Sequence, residues 1–289
     1  MSAITPAEFW SSCEKVLLAE EPLNALPIGI IQTLISDPTR YKRYHLAALS
    51  PNGVSVSPAT EESIIGCTWM TPPHPLGMTD MPRALASHIV DWADSLGDRP
   101  RGFVGPTSIA DIVTDMWCKR SGTSVAKSMG LIAHVLTAVK LPVHPGGKFR
   151  DAGSCDTEVI AAMTCAYTEE TGLGTVDAAA AIEIRNQTAR AIEMGTRVVW
   201  EAASGDIVAC AGAAGPTPRG VRIGNVYTLP AHRGRGYAAA LVAAMSQREL
   251  DRGKAFCSLY TDAANPTSNS IYRKIGYRRI GDSIHHTLK

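Results

Sequence analysis

The stretch that decides the fold is NVYTLPAHRGRGYA, residues 225–238 of a 289-residue chain. Residues that favour strands precede Pro230, which ends the predicted strand because proline has no N–H to give to a ladder. Gly234 and Gly236 allow the backbone to turn tightly, and apolar residues at helical spacing follow them. A helix that begins in a glycine-rich turn directs several unpaired N–H groups at one point. Such a point attracts phosphate.

Two motifs in this region resemble those of the GCN5-related N-acetyltransferases (GNAT family). Arg233-x-x-Gly236-x-Ala238 matches the Gln/Arg-x-x-Gly-x-Gly/Ala signature of that family, and NPTSNSIYRKIGY, residues 265–277, is similar to its second signature. The motifs occur in the family's order, and the resemblance covers about residues 147–289. A Rossmann dinucleotide loop is the alternative. However, the turn lacks the third glycine of that fingerprint, and no acidic partner follows about twenty residues later.

The resemblance implies an α/β (α+β) GNAT fold, with a central mixed, splayed β-sheet flanked by helices. It also implies an N-acetyltransferase that transfers the acetyl group of acetyl-CoA to a primary amine by direct attack in a ternary complex. No cysteine is placed as a nucleophile beside a motif histidine, so no covalent enzyme intermediate is expected. The alternative function is a non-catalytic module that binds acetyl-CoA as a sensor.

The cofactor-binding residues follow from the same resemblance. The pantetheine arm of acetyl-CoA would lie between two splaying strands, 221–229 and 255–261. Asn265 would contact pantetheine, although its type and position also favour capping a helix that starts at Pro266. The pyrophosphate would bind backbone N–H groups of the turn. The thioester carbonyl would bind N–H groups of the strand, and the alternative role of these strand residues is ordinary strand pairing. These residues are Arg233, Gly234, Arg235, Gly236, Tyr237 and Ala238 for the pyrophosphate, and Val226, Tyr227 and Thr228 for the thioester.

Two further roles concern protons. Tyr272 stands where the family keeps the general acid that protonates the leaving thiolate, and packing is its other possible role. An amine attacks only when it is neutral, so a base or a water chain must accept a proton. Glu201 is the predicted base, with Glu169 and Asp262 as alternatives, and none of the three has a specific motif.

The first half of the chain predicts helices within 6–36, strands at 44–49, 64–69 and 102–105, and helices at 81–95 and 109–117. The stretch 134–143 is either a strand or a helix end. The loop after Trp69 contains three prolines and no glycine-rich signature. We therefore expect residues 1–146 to be a degenerate GNAT-like copy, or an unrelated α/β domain, and residues 147–289 to be the catalytic domain. The boundary is predicted at Pro145–Lys148.

Composition narrows the class of partner. The net charge is +1, with 45% hydrophobic and 19% charged residues, so no nucleic-acid or membrane surface is expected. The chain has no signal-peptide pattern, and we expect a cytoplasmic enzyme. Seven scattered cysteines form no Cys-x-x-Cys pair or Cys/His cluster, so neither a metal site nor a disulfide framework is predicted. The acceptor is expected to be a small-molecule amine or a peptide, and the sequence does not specify it further.

Overall fold

The computed structural model describes residues 4–55, 63–215 and 217–289. The helices in these ranges are α1 (Pro6–Ala19), α2 (Ala25–Ser36), α3 (Ala86–Ser95), α4 (Thr107–Ser121), α5 (Thr157–Glu170), α6 (Ala178–Glu193), α7 (Tyr237–Asp251) and α8 (Pro266–Lys274). The strands are β1 (His45–Ser50), β2 (Gly53–Ser55), β3 (Gly66–Met70), β4 (Leu76–Met78), β5 (Gly102–Pro106), β6 (Val125–Leu136), β7 (Lys148–Asp151), β8 (Arg197–Glu201), β9 (Ile207–Ala214), β10 (Gly220–Thr228), β11 (Phe256–Asp262) and β12 (Arg278–Leu288).

The strands form one mixed sheet in the order β2-β1-β3-β4-β5-β12-β6-β11-β10-β9-β8-β7. The pairs β4–β5 and β10–β11 are parallel, and the other pairs are antiparallel. Helices flank the sheet, and α7 packs on β8, β9, β10 and β11 through the largest buried cluster. The predicted α/β class, with one mixed sheet flanked by helices, is confirmed.

The two halves of the chain exchange their last strands. β6, from the first half, lies between β12 and β11, while β12, from the second half, lies between β5 and β6. Each half also repeats one order of elements. A parallel strand pair is joined by one helix (α3 or α7) and is followed by a second helix (α4 or α8) and a long strand. This repeat supports the interpretation of the first half as a copy, and the exchanged strands join both halves in one sheet.

The first-half loop was placed wrongly from the sequence. After β3, the residues around Pro72–Pro73 turn into β4, which the sequence analysis missed. The connection that corresponds to the glycine-rich turn is therefore residues 79–85, between β4 and α3. It contains Pro82 and no glycine. The first half therefore lacks a glycine-rich turn at residues 79–85, as it does in the loop after Trp69. The loop after Trp69 is not the counterpart of the turn before α7.

Other local predictions had mixed outcomes. Asn265 caps α8 as expected, because its side-chain oxygen accepts from the N–H of Ser268 at 3.0 Å, with Pro266 as the first helical residue. Asp156 holds the capping position of α5 but makes no side-chain cap to that helix. Its carboxylate instead accepts from Arg150 at 2.6 Å. The stretch 134–143, predicted as a strand or a helix end, contains only the last residues of β6, which ends at Leu136.

Candidate active site

The turn before α7 presents a row of free backbone donors. Gly234 and Gly236 have φ of +75° and +86°, which only glycine adopts without strain. Within the ranges that the structure describes, the N–H groups from Gly234 to Ala239 have no hydrogen-bond acceptor, and the first helical bond into this segment is Ala240 N–H to Gly236 O at 3.0 Å. Arg235 is exposed beside them. Free backbone donors at the start of a helix are an arrangement that suits an anion.

The parallel ladder between β10 and β11 opens part-way along the strands. Gly220, Val221 and Arg222 pair with Phe256, Cys257 and Ser258, and the pairing ends there although both strands continue. A gap therefore opens beyond Arg222, between residues 223–228 on one side and 259–262 on the other. This is the splay that the family resemblance predicted for these two strands.

A β-bulge lies in β10 beside this gap. Gly224 pairs with Gly212 of β9 and Tyr227 pairs with Cys210, so β10 has one residue more than β9 between these pairs. Asn225, inside the bulge, has a positive φ of +52°. The extra residue inverts the alternation of side chains. As a result Ile223 and Val226 both contact the α7 side, while Tyr227 contacts the α5 side.

The bulge also decides which N–H groups face the gap. Leu229 N–H donates to Val208 O at 3.0 Å. The adjacent pair, Thr228 with Ala209, is therefore the non-hydrogen-bonded one, and its N–H groups point away from each other. The N–H of Thr228 thus points toward the gap, and that of Tyr227 points toward β9. The hydroxyl of Thr228 is also buried with no partner in the described part of the chain.

Glu170, the last residue of α5, ties the turn to β10. Its two carboxylate oxygens accept from Tyr227 Oη at 2.6 Å and from Arg233 Nη2 at 2.7 Å. Arg233 Nε donates in turn to Thr228 O at 3.0 Å, and its guanidinium lies 5.3 Å from the centre of the Tyr227 ring. The hydrogen bond from Tyr227, with that from Arg233, lowers the pKa of Glu170. The side chain of Arg233 is thus part of the scaffold, which leaves the backbone of the turn free.

Tyr272, on α8, is 8% exposed and packs edge-on against Tyr277, with 5.9 Å between ring centres. No hydrogen bond engages its hydroxyl among the described residues. Burial raises its pKa far above the ordinary value, and Tyr167 of α5 adds to the rise. Tyr272 belongs to the cluster on the α7 side of the sheet, whereas Tyr167 packs on the α5 side.

The carboxylate predicted as base lies elsewhere. Glu201 is on β8, two strands away from β10. Its oxygens form ion pairs with Lys148 at 2.9 Å and Arg150 at 2.7 Å, and hydrogen bonds from these two side chains lower its pKa. The structure does not bring Glu201 and Tyr272 together. Asp262, an alternative base, accepts from the N–H of Ala264 at 2.8 Å.

The sequence analysis missed Arg222, which lies where the ladder opens, and Arg197, which binds Asn225. Both are arginines inside strands that otherwise consist mainly of apolar and small residues, and a charged residue inside a buried strand is the signal that could have found them. Arg197 is 8% exposed, and burial lowers its pKa.

Comparisons with known proteins support this assignment of the fold. Residues 206–286 match a family model described as FR47-like protein, a segment that contains both motifs. No curated protein matches the chain in sequence. None of the helices in the described ranges is long and apolar enough to cross a membrane.

Solved structures match nearly the whole chain at low identity. A Drosophila protein is 13% identical with a TM-score of 0.68, over 100% of this chain and 98% of that one. A GCN5-related N-acetyltransferase from Sphaerobacter thermophilus is 17% identical with a TM-score of 0.61, over 99% and 94%. A tandem GNAT protein from the clavulanic acid biosynthesis pathway is 13% identical with a TM-score of 0.54, over 98% and 94%. The resemblance to the GCN5-related N-acetyltransferases is confirmed, and the chain has their fold.

Proposed function

We propose that the protein is an N-acetyltransferase that transfers the acetyl group of acetyl-CoA to a primary amine within a ternary complex. One observation carries the proposal. The parallel ladder of β10 and β11 opens after Arg222 and Ser258, and the strand that borders the gap leads into the glycine-rich turn with its free N–H groups. Acetyl-CoA has the matching shape, because its pyrophosphate is an anion and its pantetheine arm is a narrow chain with two amides.

The phosphates bind at the turn in this proposal. The N–H groups from Gly234 to Ala239 supply neutral donors, and the N-terminal end of α7 adds the positive end of the helix dipole. Arg235 adds a charge at the surface. The Arg233 side chain acts indirectly, since its guanidinium is committed to Glu170 and to the carbonyl of Thr228.

The thioester lies against β10 near the bulge. The free N–H of Thr228 points toward the gap, and Val226 lies inside the bulge itself. A donor at this position gains importance as the carbonyl oxygen becomes negative in the tetrahedral intermediate, where one donor contributes about 3 kcal/mol. Tyr227 contributes through its ring and hydroxyl on the α5 side, since its N–H points toward β9.

The amine nitrogen attacks the thioester carbon, and the C–S bond breaks as the tetrahedral intermediate collapses. Tyr272 gives its phenolic proton to the departing thiolate and regains a proton from solvent before the next turnover. Its raised pKa keeps the phenol protonated at neutral pH. The attacking amine gives up its proton to solvent. Glu201 is not given the role of base in this proposal. Its two ion pairs stabilise the carboxylate and make it a weaker proton acceptor.

A panel of amines tests the proposal with the full chain and acetyl-CoA. Release of the CoA thiol is followed optically, and the acetylated amine is identified by mass spectrometry. We expect at least one amine to accelerate thiol release with formation of its acetyl derivative. Binding of acetyl-CoA with no turnover for any amine would favour the sensor module, and absence of binding would refute the proposal.

A further inference from the structure

Arg222 is a charged side chain without a counter-ion. Within the described residues it forms no ion pair and donates no hydrogen bond, and its Nε is buried without a partner. A guanidinium stays protonated in proteins, and burial here lowers its pKa. Buried charges are normally paired, because an unpaired one loses its hydration without compensation. Arg222 as a whole is half-buried, but its Nε is buried without a partner, so an anion from outside the chain would complete its contacts.

Three tyrosines lie near this guanidinium, and none of their hydroxyls is an acid at neutral pH. Tyr260, Tyr167 and Tyr41 lie within electrostatic range of Arg222. Burial raises the pKa of Tyr260 to about 12, and its hydroxyl donates to Leu23 O at 2.6 Å. The tyrosines therefore remain neutral and leave the positive charge uncompensated.

Residues from both halves of the chain lie around Arg222, and this region is called the Arg222 pocket below. Tyr260 and Tyr167 come from β11 and α5, whereas Tyr41 comes from the segment after α2 and stacks edge-on with His74 at 6.4 Å. The first half is held here by a close contact, since a Cβ on Gly29 would lie 2.4 Å from the Cα of Gly215. Glu21, fully buried, accepts from Arg219 Nε at 2.7 Å. The first half thus forms one wall of the pocket.

The guanidinium points toward the bulge of β10. An ideal Cβ on Gly224 would lie 3.6 Å from Arg222 Nη1, and apart from the two chain neighbours of Gly224 no other atom of the described residues would come within 4 Å of it. Arg222 therefore extends along the strand toward Gly224. A molecule beside Gly224 would meet the charge of Arg222 on one side and the gap on the other.

This pocket lies on the opposite face from the phosphate-binding turn. Val221 and Ile223 contact the α7 cluster, so the intervening Arg222 points to the other face. Arg222 is also at the end of β10 that is remote from the turn. The phosphates of CoA are therefore not its partner. The gap begins directly beyond Arg222, because the pairing of β10 with β11 ends at that residue.

We propose that Arg222 binds a carboxylate of the acceptor, so that the acetylated amine is an amino acid or a similar compound in which a carboxylate lies close to the amine. The proposal rests on the proposed function. A guanidinium binds a carboxylate through two parallel hydrogen bonds, which would fix the acceptor over Gly224 with its amine toward the bulge. In this assignment the first half of the chain contributes to acceptor specificity by closing the pocket.

Matched acceptors test the charge requirement. Each amino acid is compared with its carboxamide and with the amine that lacks the carboxyl group, using the full chain and saturating acetyl-CoA. For the best amino acid we expect kcat/KM to exceed that of both analogues by at least about tenfold, the lower end for hydrogen bonds to a charged group. Equal use of the three compounds would overturn the proposal while leaving acetyl transfer established.

Variants then assign the effect to one side chain. Arg222→Met should lose the preference for the carboxylate and retain activity with the carboxamide. Arg83→Gln, at an exposed arginine of the first half, should match the wild type. Thermal unfolding of Arg222→Met checks its folding, and a loss of stability is not expected because Arg222 donates no hydrogen bond in the described part of the chain. A retained preference in folded Arg222→Met would contradict the assignment.

A binding measurement separates this proposal from the proposed function. The same amino acids and carboxamides are titrated into the protein saturated with CoA, without turnover. If no amine is acetylated, the proposed function fails. Selective binding of the amino acid that disappears in Arg222→Met would still support the carboxylate site, and absence of binding would refute it.

Discussion

Arg197 on β8 holds Asn225 on β10 although β9 lies between their strands. With the amide oriented to satisfy both groups, the side-chain oxygen of Asn225 accepts from Nη1 and Nη2 of Arg197 at 3.1 and 3.0 Å. The space for this contact exists because Gly212 of β9 has no side chain, and a Cβ there would lie 2.8 Å from Arg197 Nη1. The bulge that borders the gap is therefore fixed by a charged donor two strands away.

Removing the amide of Asn225 should destabilise the fold. Asn225→Gly tolerates the positive φ but leaves the buried guanidinium without its acceptor, which costs about 1–3 kcal/mol. Asn225→Ala should lose about 1–2 kcal/mol more, because a Cβ strains this backbone region. Urea unfolding of the two variants measures the cost of the lost acceptor and the cost of the backbone strain. A glycine variant as stable as the wild type would show that the contact with Arg197 contributes nothing.

Replacing Gly236 should weaken acetyl-CoA binding without unfolding the protein. Gly236→Glu puts a strained, negatively charged residue against the phosphates, and we expect the Kd from calorimetry to rise about tenfold or more, on the order of 1.4 kcal/mol. Gly253→Glu is the matched control, because Gly253 has φ of +90° and lies just beyond the other end of α7. Equal affinities of the two folded variants for acetyl-CoA would show that the turn does not bind the phosphates.

The hydroxyl of Tyr272 should matter for turnover and not for binding. Tyr272→Phe keeps the ring that packs on Tyr277, and kcat should fall roughly 10²-fold, the scale of one general acid, with acetyl-CoA affinity unchanged. Tyr277→Phe is the control, because its hydroxyl bonds Ser246 at 2.9 Å and its loss should affect stability only. If kcat of Tyr272→Phe stays within about twofold while chemistry limits the rate, another proton donor acts.

The second half of the chain should not fold well by itself. In a fragment of residues 147–289, β12 would lose both neighbours, β5 and β6, and β11 would lose β6. Apolar surface of β11 and the open edge of β12 would face water, so we expect aggregation in light scattering. Co-expression with residues 1–146 should restore a soluble complex that binds one acetyl-CoA. A monomeric, fully active fragment would show that the exchanged strands are dispensable.

Acid should destabilise the protein through Asp156. Hydrogen bonds from Arg150 lower the pKa of this buried carboxylate. Its contribution is therefore complete above its unfolded pKa, near ~3.9, and is lost as the pH falls through the lower folded value. Asp156→Asn should be less stable than the wild type at neutral pH. As the pH falls from the unfolded to the folded pKa of Asp156, the variant should lose less stability than the wild type. Urea unfolding across this pH range measures the difference, and parallel curves would exclude Asp156 as a source.

Local signals carried the correct predictions. The glycines before α7 and the Asn265–Pro266 start of α8 are encoded within a few residues, because turn conformation and capping depend on adjacent chemistry. β4 was missed because a three-residue strand, Leu76–Met78, is too short to show a period. The proline cluster before it was interpreted as the loop that ends the strand at 64–69, whereas it forms a turn between two strands.

Long-range contacts explain the remaining differences. The exchange of β6 and β12 depends on strand pairing between distant parts of the chain, which no local pattern specifies. The bulge at Asn225 inverts the side-chain alternation of β10 without any glycine at that residue to indicate it. The lack of a partner for Arg222 emerges only when β10, β11, α5 and the segment after α2 come together. The cofactor-binding and catalytic roles remain predictions. The contacts described above identify the atoms on which each role depends.

Amide hydrogen exchange of the full chain, with and without acetyl-CoA, tests the central claim most directly. The account predicts slower exchange in peptides that cover residues 226–239, where free N–H groups line the turn and the gap, and in peptides from 259–272 on the opposite side. The corresponding first-half connection, residues 79–85, should not change. Protection confined to residues 79–85, or no protection at residues 226–239 under saturating acetyl-CoA, would contradict it.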